Sequence, residues 1–275
     1  MKLQTLQPHP SISNYVHHIV VLEADDLNEG AIIPLIAKGF PSIVFQTTGS
    51  GRFTGGTEST GSGRLTGGTE STGTLVLYGQ NIQPFEFHAT RHLTIIAYFI
   101  YPHLLQTFFG FSANEVTNLS LDLSPERPAK RINLGEQLLN ASSLSKRLEL
   151  MNRFVLQLAE RIRTGVNNTV LFATKAMQKS NGLLSLKQVQ QELKITERSF
   201  QRLFEFHVGV SPKTFSRICQ FQSSFQQLVN GQFIRLSDIA YENGYADQSH
   251  LIRAFKEFTN CSPATYLRLS AEFQG

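Results

Sequence analysis

Two short segments near the C-terminus carry polar side chains at the spacing of a single helix face. Arg198, Gln201 and Arg202 recur at intervals of three and four residues, so they share one face if the segment is helical. The second segment has a similar face, formed by Gln248, Ser249, Arg253 and Lys256. Arg and Gln form paired hydrogen bonds with guanine and adenine edges, and Lys neutralises phosphate. These residue types indicate contact with nucleic acid, although a solvated polar surface is the alternative for any one of them.

The two faces belong to a repeat within the sequence. Residues 200–215 read FQRLFEFHVGVSPKTF and residues 251–266 read LIRAFKEFTNCSPATY, with a constant offset of 51 residues. Each copy ends with a Ser-Pro pair and an aromatic residue three positions after the Pro. Ser is favoured as a helix N-cap and Pro as the first helical residue. Each copy therefore predicts an amphipathic helix, a turn and the start of another helix.

A shorter helix precedes the first copy of the repeat. Ser185 and Gln188 predict a capping box at its start, and Lys194-Ile195 predicts the turn at its end. Thr196 is the expected N-cap of the next helix. Two helices joined by such a tight turn form a helix-turn-helix motif.

The second copy has the same organisation. Leu236, Ile239 and Ala240 form a short apolar pattern, and Asn243-Gly244 predicts a left-handed turn after it. Asp247, or the residue before it, is the expected cap of the following helix. The sequence thus predicts two helix-turn-helix motifs, joined by a helix from Pro212 to about Val229. At ~1.5 Å per residue that helix is about 27 Å long. With the offsets to the flanking helices, the two polar faces come to lie about one DNA turn, ~34 Å, apart.

The segment from Leu186 to Leu267 resembles the DNA-binding domain of the AraC/XylS transcription regulators. That pattern has a first motif followed by Gly-x-Ser-Pro, a long connecting helix, and a second motif with several fixed positions. The matching residues of the second motif are Ile239-Ala240, Gly244-Tyr245, Ser249, Leu251, Arg253, Phe255-Lys256, Ser262-Pro263 and Tyr266. The resemblance implies a seven-helix domain. It also implies base-reading positions at Arg198, Gln201, Arg202, Gln248, Ser249 and Arg253.

The sequence departs from this pattern at three positions. Gln190 stands where a small residue is common, which implies looser packing of the first motif. Gln220 and Ser224 stand where the connecting helix usually carries Arg and Ala, which implies fewer phosphate contacts from that helix.

The first 165 residues are expected to form a separate domain, and the DNA-binding domain is expected at 169–271. The family resemblance implies a sensor or regulatory role for the first domain. Short β-branched or aromatic runs predict an antiparallel sheet, either a small barrel or a cupin-like fold. The predicted strands are Asn14–Leu22, Ala31–Ile36, Ser42–Gln46, Leu75–Tyr78 and Leu93–Tyr101. Helical patterns follow Pro102, the longest at Leu144–Thr164. The predicted fold class is therefore α+β, with an all-α C-terminal domain.

Two features of this N-terminal region stand out. Residues 51–74 are a tandem duplication of twelve residues rich in Gly, Thr and Ser, which predicts a flexible or extended hairpin loop. The segments Tyr78-Gly79-Gln80, Tyr98–Pro102 and Asn118–Leu123 resemble a sensor-like domain found in one branch of the AraC/XylS regulators.

The distribution of charge and the cysteine content indicate the kind of partner and the cellular compartment. The net charge is +4, and all of that excess lies from Thr174 onward, where twelve Lys and Arg face eight Asp and Glu. Such asymmetry is typical of a domain with a polyanionic partner. Cys219 and Cys261 are expected to be free thiols within helical segments of a cytoplasmic protein. The sequence contains neither a secretion signal nor an apolar run of membrane-spanning length.

No pattern in the sequence predicts catalysis. Six of the eight histidines lie in the first 103 residues, without the spacing of a cupin metal site, and no activated-nucleophile motif occurs. We therefore expect no enzyme activity, no metal and no cofactor. Double-stranded promoter DNA is the expected partner of an activator-type regulator, with RNA polymerase, a small-molecule effector and a second copy of the chain as further candidates. The alternatives are a non-specific architectural DNA-binding protein and a metal-dependent cupin enzyme fused to a DNA-binding domain.

Overall fold

The structure is a computed structural model of the 275-residue chain. It describes residues 2–24, 32–35, 39–47, 51–54, 74–89, 93–126, 128–160, 162, 165–231 and 233–274. Most of the tandem duplication, residues 55–73, therefore lies outside the described residues. The described residues form nine β-strands and ten α-helices, with short 3-10 turns between some of them.

The strands all lie in the N-terminal part. Their bounds are β1 Lys2–Leu6, β2 Val16–Ala24, β3 Ile32–Leu35, β4 Ser42–Gln46, β5 Gly51–Thr54, β6 Leu75–Tyr78, β7 Phe85–Ala89, β8 Leu93–Ile100 and β9 Ser120–Asp122. Six form one sheet in the order β1-β2-β8-β4-β6-β9, and β3-β7-β5 form a second sheet. Every pairing is antiparallel, which confirms the predicted sheet type.

The six-stranded sheet has two apolar faces because neighbouring side chains along a strand point to opposite sides. In β8, Ile96, Tyr98 and Ile100 belong to the larger core, whereas Ile95 and Ala97 belong to a smaller cluster on the other face. The larger core is covered by three helices, α1 Leu105–Phe109, α2 Leu134–Asn140 and α3 Leu144–Glu160.

The long helix α3 packs on the sheet through one apolar stripe. Met151, Val155 and Leu158 are fully buried in the larger core. Burial of such a side chain contributes about 1.5–3 kcal/mol, so this stripe fixes the helix on the sheet. The Tyr98 hydroxyl, which emerges from the sheet, donates to Asn152 Oδ1 at 2.8 Å. The described helix extends to Glu160, and its predicted end at Thr164 lies outside the described residues.

The C-terminal part is built from seven helices, as predicted. Their bounds are α4 Asn168–Lys179, α5 Leu186–Leu193, α6 Glu197–Val208, α7 Pro212–Val229, α8 Leu236–Glu242, α9 Gln248–Thr259 and α10 Pro263–Gln274. Two apolar clusters hold them, one around α4, α5 and α6 and one around α8 and α9, and α7 contributes to both. None of the described helices is long and apolar enough to cross a membrane.

Several local expectations differ from the structure. Strands β1, β7 and β9 and helix α2 were not predicted, because such short elements carry too few residues for a clear periodicity. Gly51–Thr54, at the start of the expected repeat loop, forms strand β5 and pairs with β7, where Phe53 lies opposite Phe87. Cys219 is buried within α7, but Cys261 lies in the turn between α9 and α10 and not in a helix, and both thiols are free.

Candidate nucleic-acid interface

The first helix-turn-helix unit consists of α5 and α6. Lys194 ends α5 in the left-handed conformation, with φ at 51°, which turns the chain sharply. Thr196 then caps α6, and its hydroxyl accepts a hydrogen bond from the Ser199 amide at 3.3 Å. The turn and this cap are as predicted. The capping box predicted at Ser185 is wrong, because Ser185 occupies the N-cap position but its hydroxyl makes no cap hydrogen bond.

Helix α6 presents its predicted polar face to solvent. Arg198, Gln201 and Arg202 are all exposed, while Phe200 and Phe204 on the opposite face are fully buried. Gln201 Nε2 donates to Glu205 Oε1 at 3.0 Å, so the amide is held along the helix rather than pointing freely outward. The exposed face is therefore accessible to a partner. The hydrogen bond to Glu205 restricts the orientation of the Gln201 side chain.

The second unit consists of α8 and α9. Gly244 follows α8 with φ at +71°, as the predicted left-handed turn requires, and a Cβ there would lie 2.6 Å from Leu183 Cδ2. Asp247 caps α9, with its carboxylate accepting from the His250 amide at 2.7 Å. Asp238 also caps α8 by accepting from the Arg235 amide at 2.8 Å. Gly244 and Asp247 thus fix the two ends of the turn between α8 and α9.

Helix α9 also exposes its predicted polar face. Gln248, Ser249 and Arg253 are exposed on the first two turns of the helix. Ile252, next to Arg253 in the sequence, is half-buried. Lys256 is exposed on the last turn, where it lines a cleft that the N-terminal segment around Ile82 also borders. The structure therefore exposes all four predicted residues of α9, with Lys256 one turn beyond Arg253.

Two residues of the connecting helix α7, Gln220 and Ser224, depart from the family pattern. Gln220 Nε2 donates to the Asn243 carbonyl at 2.8 Å, so its side chain holds the end of α8. Ser224 is fully buried, and its oxygen lies 3.5 Å from the Tyr245 hydroxyl. Burial raises the pKa of the Tyr245 hydroxyl above its ordinary value. Both polar residues serve the internal packing of the second unit, a role that the sequence did not predict.

The N-terminal part contacts the first unit at the end of α6. Thr117, which follows a 3-10 turn at Ala113–Val116, donates from its hydroxyl to the Gly209 carbonyl at 2.6 Å. Gly209 is the left-handed C-cap of α6, with φ at 94°. A Cβ at Gly209 would lie 2.8 Å from Thr117 Oγ1 and 2.9 Å from the Ala113 carbonyl oxygen. The N-terminal part thus forms a close contact with the cap of the first exposed helix.

A second contact between the two parts involves His103. This side chain is 4% exposed, and Nδ1 lies 3.4 Å from the Thr174 hydroxyl oxygen in α4. Burial, followed by the charge of Lys175, lowers the pKa of His103 to about 4. The imidazole is therefore neutral at physiological pH. Within the described residues, no group of three or more His, Cys, Asp or Glu side chains has the geometry of a metal site.

Two stretches of the chain match known domain families, and one stretch matches a known regulator. Residues 189–269 match a helix-turn-helix domain family, and residues 4–122 match a domain of unknown function, DUF6597. An uncharacterized HTH-type transcriptional regulator of Haemophilus influenzae is 30% identical over 99 residues, 36% of this chain. The match spans 32% of that relative's length, about a third.

The fold is similar to that of solved ToxT structures from Vibrio cholerae. The apo form of a lysine-to-alanine variant aligns with a TM-score of 0.53 at 15% identity, covering 90% of this chain and 96% of that one. A second ToxT structure aligns with a TM-score of 0.52 at 13% identity, covering 97% and 98%. At such identity the likeness concerns the fold, including the order of a β-rich part and a helical part. The C-terminal part of this chain is therefore a helix-turn-helix domain of the AraC/XylS type, preceded by an N-terminal part that matches DUF6597.

Proposed function

We propose that this protein is a transcription regulator that binds double-stranded promoter DNA in a sequence-specific manner. The observation that carries the proposal is the pair of exposed polar faces at equivalent positions of two capped helices, α6 and α9. Arg202 and Arg253 are 51 residues apart, as are the two copies of the repeat, and both are exposed. One such face is common on a solvated helix, but two related by an internal repeat indicate a shared role.

The length of the connecting helix supports binding to one side of a duplex. Helix α7 has 18 residues, so it spans about 27 Å at ~1.5 Å per residue. Two recognition helices offset at its ends can enter successive major grooves, which recur every ~34 Å. In this proposal Arg198, Gln201 and Arg202 read one groove, and Gln248, Ser249 and Arg253 read the next. Lys256, at the far end of α9, contributes charge rather than base recognition.

For the N-terminal part we propose a sensing role. One solved ToxT structure of similar fold, with a TM-score of 0.50 at 13% identity, is bound to a naphthalenyl butenoic acid. That relative therefore accommodates a small organic acid. The hydrogen bond from Thr117 to the cap of α6 gives a sensing domain here a direct contact with a DNA-reading helix. We also propose that the protein dimerises and contacts RNA polymerase. We further propose that it has no enzyme activity and lies in the cytoplasm, where promoter DNA is found.

The test is a binding titration with the full chain. A labelled duplex from the region upstream of the gene and a scrambled duplex of equal composition are titrated by fluorescence anisotropy at two salt concentrations. We expect at least about tenfold tighter binding to the native duplex at both salts, since base contacts add to the salt-dependent phosphate contacts. Equal binding to both duplexes that weakens steeply with salt would instead indicate an architectural protein.

A further inference from the structure

Two neighbouring histidines at the start of β2 face each other. In a regular strand, consecutive side chains point to opposite sides of the sheet. Val16 and His18, two positions apart on β2, pair with consecutive residues of β8, so the strand has a bulge with His17 as the extra residue. The Nδ1 atoms of His17 and His18 lie 2.8 Å apart. The bulge therefore brings together two imidazole nitrogens that a regular strand would separate.

Aromatic neighbours hold both imidazole rings. The His18 ring stacks on that of Phe99, its partner residue on β8, with the centroids 4.3 Å apart and an interplanar angle of 2°. The His17 ring stacks on that of Phe40, also at 4.3 Å, and lies at a right angle to the Tyr101 ring at 5.7 Å. Such contacts favour particular ring orientations. His17 is exposed and His18 half-buried, so ions in solution can reach the pair.

The separation of the two nitrogens matches one ligand geometry. Two nitrogens that each lie about 2.0 Å from a metal ion are about 2.8 Å apart at an N–metal–N angle of 90°, and about 3.3 Å apart at the tetrahedral angle. The observed 2.8 Å fits the right angle. Cu(II) and Ni(II) adopt square-planar or tetragonal geometries, whereas Zn(II) sites are mostly tetrahedral. The pair is therefore arranged for Cu(II) or Ni(II) rather than for Zn(II).

We infer that His17 and His18 form a binding site for Cu(II) or Ni(II), with both Nδ1 atoms as ligands and water at the remaining positions. Neutral imidazole is a common metal ligand in proteins and binds through either ring nitrogen. Without metal, one ring donates its Nδ1–H to the Nδ1 of the other. The ion takes the place of that hydrogen, and the donor ring then carries its N–H on Nε2. A small rotation of each ring directs both lone pairs to the ion.

The site differs from the metal sites that a sequence pattern can predict. Adjacent histidines do not have the spacing of a cupin metal site, and only the bulge brings their rings together. Within the described part of the chain, no group of three or more His, Cys, Asp or Glu side chains could hold a metal, so the pair supplies two ligands and water the others. Such an open site exchanges its ion with solvent, whereas structural metals are enclosed by four protein ligands. Metal binding at this pair does not depend on the proposed binding to DNA.

The first experiment measures the binding of metal ions to the full chain without DNA. Copper, nickel and zinc chlorides are each titrated by isothermal calorimetry in a buffer that contains glycine, which competes for loosely held ions. We expect a single equivalent of Cu(II) and of Ni(II), and at least about tenfold weaker binding of Zn(II) than of Ni(II), because Zn(II) disfavours the right angle. The electron paramagnetic resonance spectrum of the Cu(II) form should show coupling to two imidazole nitrogens.

Variants that keep the aromatic contacts isolate the role of the ligand nitrogens. His17→Phe and His18→Phe retain an aromatic ring for stacking but lack a ligand. Each should weaken the binding of Cu(II) and Ni(II) at least about tenfold and remove the coupling to one nitrogen. His9→Phe is the matched control, because His9 is exposed in the same part of the chain and its Nδ1 already lies 2.8 Å from the Ser11 hydroxyl oxygen. It should bind as the wild type does, and circular dichroism checks that each variant is folded.

Three results would overturn the site. The first is that neither Cu(II) nor Ni(II) is retained in the presence of glycine. The second is unchanged binding in His17→Phe or in His18→Phe, which would assign the ions to other groups as adventitious ligands. The third is binding of Zn(II) as tight as that of Ni(II), which would contradict the geometry of the two nitrogens.

Discussion

The two helix-turn-helix units share a sequence pattern but differ in how the rest of the chain supports them. The first unit contacts the N-terminal part through the hydrogen bond from Thr117 to Gly209, and helix α4, which packs against it, contacts His103 through Thr174. The second is held mainly by α7, through Gln220, and faces the N-terminal part across an open cleft with an exposed ion pair. The two units therefore differ in how they contact the N-terminal part.

The largest expected difference between the units concerns their helix C-caps. Gly209 and Asn260 occupy equivalent repeat positions and are both left-handed, with φ at 94° and 59°. Gly209→Ala should destabilise the protein by about 3 kcal/mol, because strain at positive φ adds to the clash with Thr117 and the Ala113 carbonyl. Asn260→Ala should cost only about 1 kcal/mol, since strain alone acts there. Urea unfolding of both variants measures the difference, and equal losses would contradict the asymmetry.

For DNA binding, in contrast, the two units should behave alike. Arg202→Ala and Arg253→Ala are each expected to weaken binding to the preferred duplex by about 1–3 kcal/mol and to relax specificity at one position. Arg153→Ala on α3 is the control for loss of an exposed Arg. Anisotropy titrations against the native and scrambled duplexes check this. If both variants bind as tightly as the wild type, the reading faces are wrongly assigned.

Acidification should affect the contact at His103, which belongs to the support of the first unit. The folded-state pKa of His103 is lowered to about 4, below the ordinary value of 6.5. The unfolded chain therefore takes up a proton between these values while the folded chain does not. Stability is highest above pH 6.5 and falls as the pH drops toward 4, by about 2 kcal/mol at pH 5.

The control for this effect is His103→Gln, which removes the titrating group. The free energy of unfolding is measured at pH 7 and pH 5 for both proteins. We expect a smaller loss between these values in the variant than in the wild type. An equal loss in both would assign the pH dependence to other groups.

The smallest effects should come from the N-caps, where the two units are again comparable. Thr196→Ala and Asp247→Ala each remove an acceptor for an amide in the first helical turn. Each should destabilise the protein by about 1 kcal/mol. Urea unfolding tests both, with the Ser or Asn replacement as a rescue at each position. A cap whose rescue does not restore stability acts through some other contact.

The parts of the fold that sequence could predict are those set by neighbouring residues. Helix α7 begins at Pro212 and ends at Val229 as predicted, and Thr196 and Asp247 cap as predicted, because a cap needs only residues three positions apart. The exposed faces of α6 and α9 follow from helical periodicity for the same reason. Their role in reading bases remains a prediction.

Contacts between distant parts of the chain could not be predicted. Thr117 and Gly209 are 92 residues apart, and nothing in either local sequence signals the other. Gln220 and Ser224 were expected to weaken phosphate contact, whereas the structure shows them packed against the second unit. In each case the partner is set by tertiary packing, which a local pattern does not contain.

The central claim is that two units of one chain read successive major grooves. Hydroxyl-radical footprinting of the full chain on its preferred duplex tests it most directly. We expect two protected patches on the same side of the duplex, about 10 base pairs apart, with the protection at one patch lost in Arg202→Ala and at the other in Arg253→Ala. A single protected patch, affected equally by both variants, would contradict the account.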